Sequence, residues 1–578
     1  MSRQHSIAFS DSPLLTQRAP MWRSRLLLAG LGLGFVGLSV RAAYVQVFDN
    51  EFIRQQGNAR MQRTIALEPS RGQILDRNGL ILAASVPAYG LWIDNADPNH
   101  AGWAEVAKIL QRKPAQLRQY VAERQGRGFT WLSRQLDEAQ GQAIAKLDIP
   151  GVFLNRSYKR AYPEGPAAAH IVGFTNADNA GQEGIELAFN AGLSGRAGSR
   201  AVIKDRLGHI IEDVREVVPP VDGRDVQLTL DSKVQFFAYD RIQAAVKAHR
   251  AKAGSIVVLD AKTGDILALA NYPSFDPNDR SSLSGSALRN RAVTDAFEPG
   301  STMKPLVIAR ALEEGKVSPS TTFNTAPGYI HIGRARISDS HAHGVLSVAE
   351  IIEKSSNVGT VKISELISAQ SMWDTYTGVG LGQRPPLPFP GASRGSLRDP
   401  QSWRPVEKAT MSYGYGLSVS LLQLARAYTV FANDGHLARL HLIKDGQSAL
   451  GPKVFSPRVT QQVRSMLALA TGDEGTAPKA QTLGYTVGGK TGTAHKLEGG
   501  KYAAKKYRGV FVGLAPIEAP RIVVGVMIDE PGGSVYYGGL TAAPVFAETV
   551  QQALRVLGVQ PDMTVQPNIH AQGVEESM

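Results

Sequence analysis

Three short strings carry the side chains that could do covalent chemistry. The first is FEPGSTMKPLVIARALEEG, residues 297–315, in which Ser301 and Lys304 stand three apart just after a Pro-Gly turn. On a helix that spacing puts both side chains on one face, a single turn apart, and Gly315 supplies the stop. A serine hydroxyl needs a base within hydrogen-bond reach before it attacks a carbonyl. A lysine can be that base only if burial or a neighbouring cation lowers its pKa. Alone, S-x-x-K is expected about once or twice by chance in a chain this long. The second string, IIEKSSNVGTVKI, offers Ser355 and Asn357, a hydroxyl to relay a proton and an amide to hold a peptide carbonyl. The third, YTVGGKTGTAHK, places Lys490, Thr491, Gly492 and Thr493 at an apolar strand start. Lys490 adds a second cation beside Lys304, the threonine hydroxyls suit a carboxylate, and Gly488, Gly489 and Gly492 are expected to leave one strand face bare for a substrate backbone. Each string alone could be accidental; all three in this order, the first at a helix start and the last on a strand, point to acyl transfer through a serine nucleophile.

The elements that must position these residues are legible around them. From Ser232, KVQFFAYDRIQAAVKAH is an amphipathic helix, and GSIVVLDAKTGDILALAN reads as two strands about the turn Lys262-Thr263-Gly264-Asp265. YRGVFVGLAP and RIVVGVMID return to strands, and PVFAETVQQALRVLG closes as a helix. The expected class is α+β, one antiparallel sheet with helices on both faces. Upstream, residues 49–66 read as a polar, partly helical stalk. Asn78-Gly79 marks a tight hairpin, residues 100–150 are helical in periodicity, and residues 150–230 return to strands and turns.

At the start of the chain, Arg3, Arg18, Arg23 and Arg25, against the single acid Asp11, precede an apolar run from Leu26 to Val40 that continues past Arg41 as AAYVQVF, so that Leu26 to Val47 is the expected span. Roughly 20 residues cross a bilayer, and Arg41 can snorkel to the far interface with Tyr44 beside it. The arginines favour a cytoplasmic N-terminus, which puts the rest outside the inner membrane. The long polar lead and the lack of a cleavage motif favour an uncleaved anchor over a cleaved signal peptide. The expected organisation is a cytoplasmic tail (1–25), a single-pass transmembrane anchor (26–47), a pedestal (48–231), a catalytic domain (232–560) and a disordered tail (561–578).

With 578 residues, more than one core is needed. Zero cysteines exclude disulfides and a thiol nucleophile. The net charge of +12 is spread along the chain with no basic stripe, so nucleic acid is not expected as a partner. No metal, nucleotide or redox motif is present, and no cofactor is expected.

Together these stretches resemble a class B penicillin-binding protein, and within that class the transpeptidase of the bacterial division septum. SRGQILDRNG (70–79), RAYPEGPAAAHIVGFTN (160–176) and GQEGIELAFNAGLSG (181–195) resemble its non-catalytic pedestal, of the penicillin-binding-protein dimerisation type. SYGYGLSVSLLQLARAY (412–428) and YYGGLTAAPVF (536–546) resemble its catalytic signatures. The resemblance implies the penicillin-binding transpeptidase fold, shared with serine β-lactamases. It implies that Ser301 forms the acyl-enzyme, Lys304 is the base, Ser355 shuttles a proton, and Asn357 binds the donor peptide. Lys490 would order the hydroxyls; Thr491 and Thr493 would take the terminal carboxylate; Gly492 would line the same subsite. Tyr536 and Tyr537 would wall the site, with packing the role of at least one. The implied substrates are stem peptides ending in D-Ala-D-Ala, with β-lactams as inhibitors. The implied partners are a septal glycan polymerase and small membrane division proteins. The middle motif is SSN rather than SDN, and His495 receives no role. A β-lactamase, which would need an E-x-x-L-N loop, is not favoured. A D,D-carboxypeptidase, an elongation-type transpeptidase and a non-catalytic scaffold or drug sensor are the remaining alternatives.

Overall fold

The computed structural model describes residues 20–47, 62–204, 210–213, 217–283, 285–444, 446, 450–499 and 501–564. The chain forms two compact units, residues 1–68 with 197–220, and residues 69–196 with 221–578.

In the first unit, α1 (Met21–Val47) is long and apolar enough to cross a membrane, and its large apolar side chains from Met21 to Tyr44 are exposed. It begins five residues before the expected span, because Met21, Trp22, Arg23, Ser24 and Arg25 continue the helix without a breaker. Residues 1–19 of the expected cytoplasmic tail lie outside the described residues, as do residues 49–61 of the expected stalk. The remainder of that stalk is not helical: β1 (Gln62–Leu67) pairs antiparallel along its whole length with Gly198–Lys204, which also pairs with Ile210–Asp213. The partner strand lies more than a hundred residues away in sequence, so local periodicity could not reveal it.

In the second unit, the Asn78-Gly79 hairpin forms as expected between β2 (Ile74–Leu75) and β3 (Ile81–Ile93). Gly79 takes φ +86°, and the Asp76 carboxylate accepts from the backbone N–H groups of Asn78 (2.7 Å), Leu80 (2.8 Å) and Ser232 (3.1 Å). Helices at Trp103–Ile109, Pro114–Ala122 and Glu138–Ala145 match the helical periodicity. A strand between them, Thr130–Asp137, was hidden by it, and pairs with β3. The stretch from 150 to 230 contains strand Val152–Ala161 but also short helices at Ala169–Val172, Gly184–Ala188 and Asn190–Leu193, too brief to show a period.

A buried charge cluster locks these pieces. Arg71 Nε donates to Glu186 Oε2 (2.6 Å) and Arg160 Nε to Glu186 Oε1 (2.7 Å), all three side chains being buried. Arg71 also reaches Asn190 and Ser194, and Arg160 reaches the Gly72 carbonyl, so the guanidinium groups are paired and hydrogen-bonded. Ile74, Leu82, Ile171 and Leu193 then join Leu228, Ile266, Phe297 and Met303 in one continuous core.

The catalytic sheet follows from two-sided burial. Helix α2 (Ser232–Ala248) is capped by Asp231, whose side chain accepts from Lys233 and Val234. β4 (Ala253–Asp260) and β5 (Ile266–Tyr272) flank the expected turn, and β4 is buried at every position. Alternation sends Ile256 and Val258 toward one core, and Val257 and Leu259 toward the other. With β6 (Gly488–Glu498), β7 (Lys501–Ala515) and β8 (Ile522–Asp529) the sheet has order β5-β4-β8-β7-β6, antiparallel throughout, as expected. Helices α2 and Ala543–Val556 cover one face; Leu421–Ala432 packs against the other. The first residues of the expected disordered tail are held: the N–H of Asp562 donates to the Gly484 carbonyl (3.1 Å), and its carboxylate accepts from Thr486 N–H (2.7 Å). Residues 565–578 lie outside the described residues.

Replacing Glu186 by alanine leaves two buried guanidinium groups unpaired. The expected loss is about 3–5 kcal/mol, measured as a lowered denaturation midpoint; an unshifted midpoint would contradict this role.

Candidate active site

The nucleophile turn is fastened by backbone. Phe297 exchanges two 2.9 Å hydrogen bonds with Val419, and Gly300 N–H donates to the Gly414 carbonyl at 3.1 Å. Gly300 sits at φ +58°, and a Cβ on Gly414 would lie 2.1 Å from Gly300 O, so these two backbones meet only because Gly414 has no side chain. Residues Gly300–Met303 form a 3-10 turn, and α3 (Lys304–Glu313) continues from it with Pro305 at its start. The sequence implied a helix from Ser301; the tighter first turn is held by Thr302 Oγ1 donating to the Pro299 carbonyl (2.8 Å) and Tyr428 OH to the Thr302 carbonyl (2.6 Å). Ser301 is half-buried at the surface of this turn, whereas Lys304 is fully buried.

Lys304 Nζ donates to the Ser355 carbonyl (2.5 Å) and approaches Ser355 Oγ (3.2 Å). Ser355 itself adopts φ +60°, a left-handed conformation uncommon outside glycine, and so turns its carbonyl toward the lysine. Ser356 caps helix α4 (Asn357–Glu365), accepting from Gly359 N–H (2.9 Å). The carboxylate of Asp339 holds this corner. It accepts from Ser356 Oγ (2.7 Å) and from the N–H groups of Asn357 (2.5 Å) and Val358 (3.0 Å), at the positive end of the helix dipole. Asn357 Nδ2 donates to the Ser338 carbonyl (2.8 Å).

On β6, Lys490 is likewise fully buried, with Nζ 3.3 Å from Thr491 Oγ1, which in turn donates to Thr476 Oγ1 (3.2 Å). Thr493 Oγ1 accepts from Gly538 N–H (3.1 Å). A Cβ on Gly492 would fall 2.6 Å from the Pro299 carbonyl, and one on Gly300 would lie 3.6 Å from Thr493 N. The strand therefore runs directly against the nucleophile turn. This corrects the expected bare face. The space beside Gly492 is filled by Pro299 and Thr302, that beside Gly488 by Ile517, and that beside Gly489 by Phe511. These glycines admit protein, not substrate, because sheet, turn and helix approach too closely for side chains.

Burial and the nearby ammonium of Lys490 push the Lys304 pKa well below the usual lysine range, with Asp339 opposing them. Burial brings Lys490 down to about 7. A lysine whose pKa is driven down by burial and a neighbouring cation, one turn from a serine, is chemically competent to accept the serine proton. Tyr536 stacks on Tyr507 (4.0 Å between centroids) and on Tyr537 (4.5 Å), and His495 joins the row through Tyr507 (4.7 Å). Tyr536 is a packed ring; Tyr537 is half-exposed. The structure thus brings Ser301, Lys304, Ser355, Asn357, Lys490 and the Thr491–Thr493 strand to one cleft. Sequence reasoning missed Asp339, Thr476 and the Tyr415 hydroxyl, 3.5 Å from the Thr493 carbonyl. Asp339 and Thr476 lie in no motif, and Tyr415 falls within the 412–428 stretch without being singled out there; only the fold brings them near.

An acyl-serine cleft built from a sheet-bound lysine, a helix-start serine and a capped serine–asparagine corner defines the penicillin-binding class of transpeptidases. The family models agree: residues 254–551 match the penicillin binding protein transpeptidase domain and residues 66–228 the penicillin-binding protein dimerisation domain. The chain belongs to the class B penicillin-binding proteins. It is 41% identical over 544 residues to the probable peptidoglycan D,D-transpeptidase PenA of Neisseria gonorrhoeae, covering 93% of each chain. It is 36% identical to the peptidoglycan D,D-transpeptidase FtsI of Escherichia coli K12, covering 94% of this chain and 93% of that one. Among solved structures, the apo transpeptidase domain of Burkholderia pseudomallei penicillin-binding protein 3 is 47% identical, with a TM-score of 0.54, covering 58% of this chain and 98% of that one.

Asp339→Ala is expected to loosen the 355–357 corner and slow acylation by about 10- to 100-fold, with Asp339→Asn recovering part of the loss, read by time-resolved labelling with a fluorescent penicillin. Gly492→Ala should abolish labelling through its clash with Pro299; labelling at the native rate would show that the strand can move aside.

Proposed function

We propose that this chain is a peptidoglycan D,D-transpeptidase that cross-links stem peptides through an acyl-enzyme on Ser301. The observation that carries the reading is the wholly buried Lys304, donating to Ser355 one turn from Ser301 and facing a second buried cation, Lys490. Neutral Lys304 takes the Ser301 proton as the hydroxyl attacks the penultimate D-alanine carbonyl. The tetrahedral oxyanion is held by the backbone N–H groups of Ser301 and Thr493. Ser355 passes the proton to the departing D-alanine nitrogen, and the C–N bond breaks. An amine of a neighbouring stem peptide then attacks the ester, forming the cross-link and releasing the serine. Asn357 binds the donor amide, Thr491 and Thr493 receive its carboxylate with Lys490 ordering their hydroxyls, Gly492 sets the approach of the strand, and Tyr537 flanks the mouth. β-Lactams enter by the same attack and leave the serine acylated.

The septal role is favoured by the division-type stretches at 412–428 and 536–546. In this reading the chain is divided as 1–25, 26–47, 48–231, 232–560 and 561–578, anchored in the inner membrane with its catalytic part in the periplasm at the division site. Its partners are then a septal glycan polymerase and small membrane division proteins.

A fluorescent penicillin should label the native chain once and durably, and leave Ser301→Ala unlabelled; labelling of the variant, or rapid drug turnover, would overturn the reading. The acylation rate should fall on acidification. Burial and the Lys490 charge depress the Lys304 pKa and so favour the free base, and the lysine loses its capacity as a base when acidification returns the proton. A rate indifferent to pH on the acid side would remove Lys304 from the base role. Protease added outside the inner membrane should digest the catalytic part, and protection would reverse the orientation.

A further inference from the structure

Glu298 lies between Phe297 and the Pro299-Gly300 turn, three residues before the nucleophile, and no role in the chemistry above falls to it. Its carboxylate Oε1 accepts two hydrogen bonds, from Gly416 N–H (2.8 Å) and from the Tyr502 hydroxyl (3.3 Å). The first donor belongs to the turn whose Gly414 carbonyl receives Gly300 N–H. The second stands at the tip of the β6–β7 hairpin, where Tyr502 pairs with Leu497. One carboxylate therefore ties together three segments far apart in sequence. Oε2 is buried and has no hydrogen-bond partner among the described residues, and burial raises the carboxyl pKa. Keeping an acid half-buried with an unsatisfied oxygen is unfavourable.

The topology supplies a reason for it. Among the described residues β6 is an edge strand, paired within the sheet only with β7, and it carries Thr493. Its open side faces the nucleophile turn, and no sheet hydrogen bonds fix that distance. Gly492 packing on Pro299 restrains the middle of the strand. The Glu298–Tyr502 hydrogen bond restrains its outer end, with Tyr415 between them, its ring 6.1 Å from Tyr502.

We propose that Glu298 is a positioning residue for acyl transfer, clamping the β6–β7 hairpin to the nucleophile turn and so setting the spacing between the N–H groups of Ser301 and Thr493. This rests on the acyl-enzyme reading above. Misplacing an oxyanion donor raises the barrier without removing the binding contacts, so the signature lies in the acylation step rather than in initial drug binding.

The test is saturation kinetics of fluorescent-penicillin acylation on the full chain in detergent, separating initial binding from the limiting acylation rate, with thermal melts alongside. Glu298→Ala should lower the limiting rate by about 10- to 100-fold while initial binding changes less than about threefold. Glu298→Gln, whose amide oxygen can still accept from Gly416, should restore most of the rate. Tyr502→Phe, at an exposed position, should lose a smaller part of the limiting rate, about two- to fivefold, with an unchanged melt. Three results would overturn the proposal: native limiting rates in both Glu298→Ala and Tyr502→Phe, a loss confined to initial binding, or a loss matched by the unfolded fraction. Native protein that takes no label, or a Ser301→Ala variant that does, would instead sink the acyl-enzyme reading itself.

Discussion

Two ammonium-bearing side chains, Lys304 and Lys490, are wholly removed from water within the same cleft. Most of the surrounding architecture follows from that constraint. A buried lysine without a carboxylate partner is tolerated by giving up its proton. Here helix α3 holds one lysine and the edge strand β6 the other; the Lys490 charge adds to burial in lowering the Lys304 pKa, and burial lowers that of Lys490. The acid closest in influence, Asp339, is turned away to three donors of the Ser356 corner, so it moderates Lys304 without neutralising the pair. A salt-bridged Lys304 would be a charge already satisfied and useless as a base.

Close backbone approach is the second condition. Gly300 against Gly414, and Gly492 against Pro299, bring the nucleophile turn, the 412–416 stretch and β6 nearer than any side chain allows. Behind them the five-stranded sheet gains its rigidity from cores on both faces, and a rigid sheet can hold a main-chain donor in place better than a loop. Farther away, the Arg71–Glu186–Arg160 cluster shows the opposite use of buried charge: paired, fully hydrogen-bonded, and structural.

Much of this was legible because the relevant signals are local. Ser301 to Lys304 is one helical turn, and the strands around Lys262-Thr263-Gly264-Asp265 announce themselves by continuous apolar runs. The fold class and the convergence of the three strings followed. What the sequence concealed is what depends on tertiary contact. Asp339 sits in a polar stretch with no pattern, and only the hairpin ending at Ser338 delivers it to the cap of α4. The strand Gln62–Leu67 looked like stalk because its partner is distant. The bare glycine face of β6 was misread because a missing side chain says that something comes close, but not whether it is ligand or protein. The 3-10 turn at Gly300–Met303 differs from a helix only by hydrogen bonds that Thr302 and Tyr428 enforce.

The pairing of β4 with β8 joins two strands of the catalytic sheet that are separated in sequence by most of the domain. Thr493 is likewise made about 190 residues after Ser301. At roughly 5–20 residues per second of synthesis, the serine emerges some 10–40 seconds before the strand that completes its surroundings. During that interval the hydroxyl is an ordinary alcohol with no oxyanion site beside it. Reactivity in this chain is thus deferred by gene order, and a polypeptide cut short before β6 is born inert.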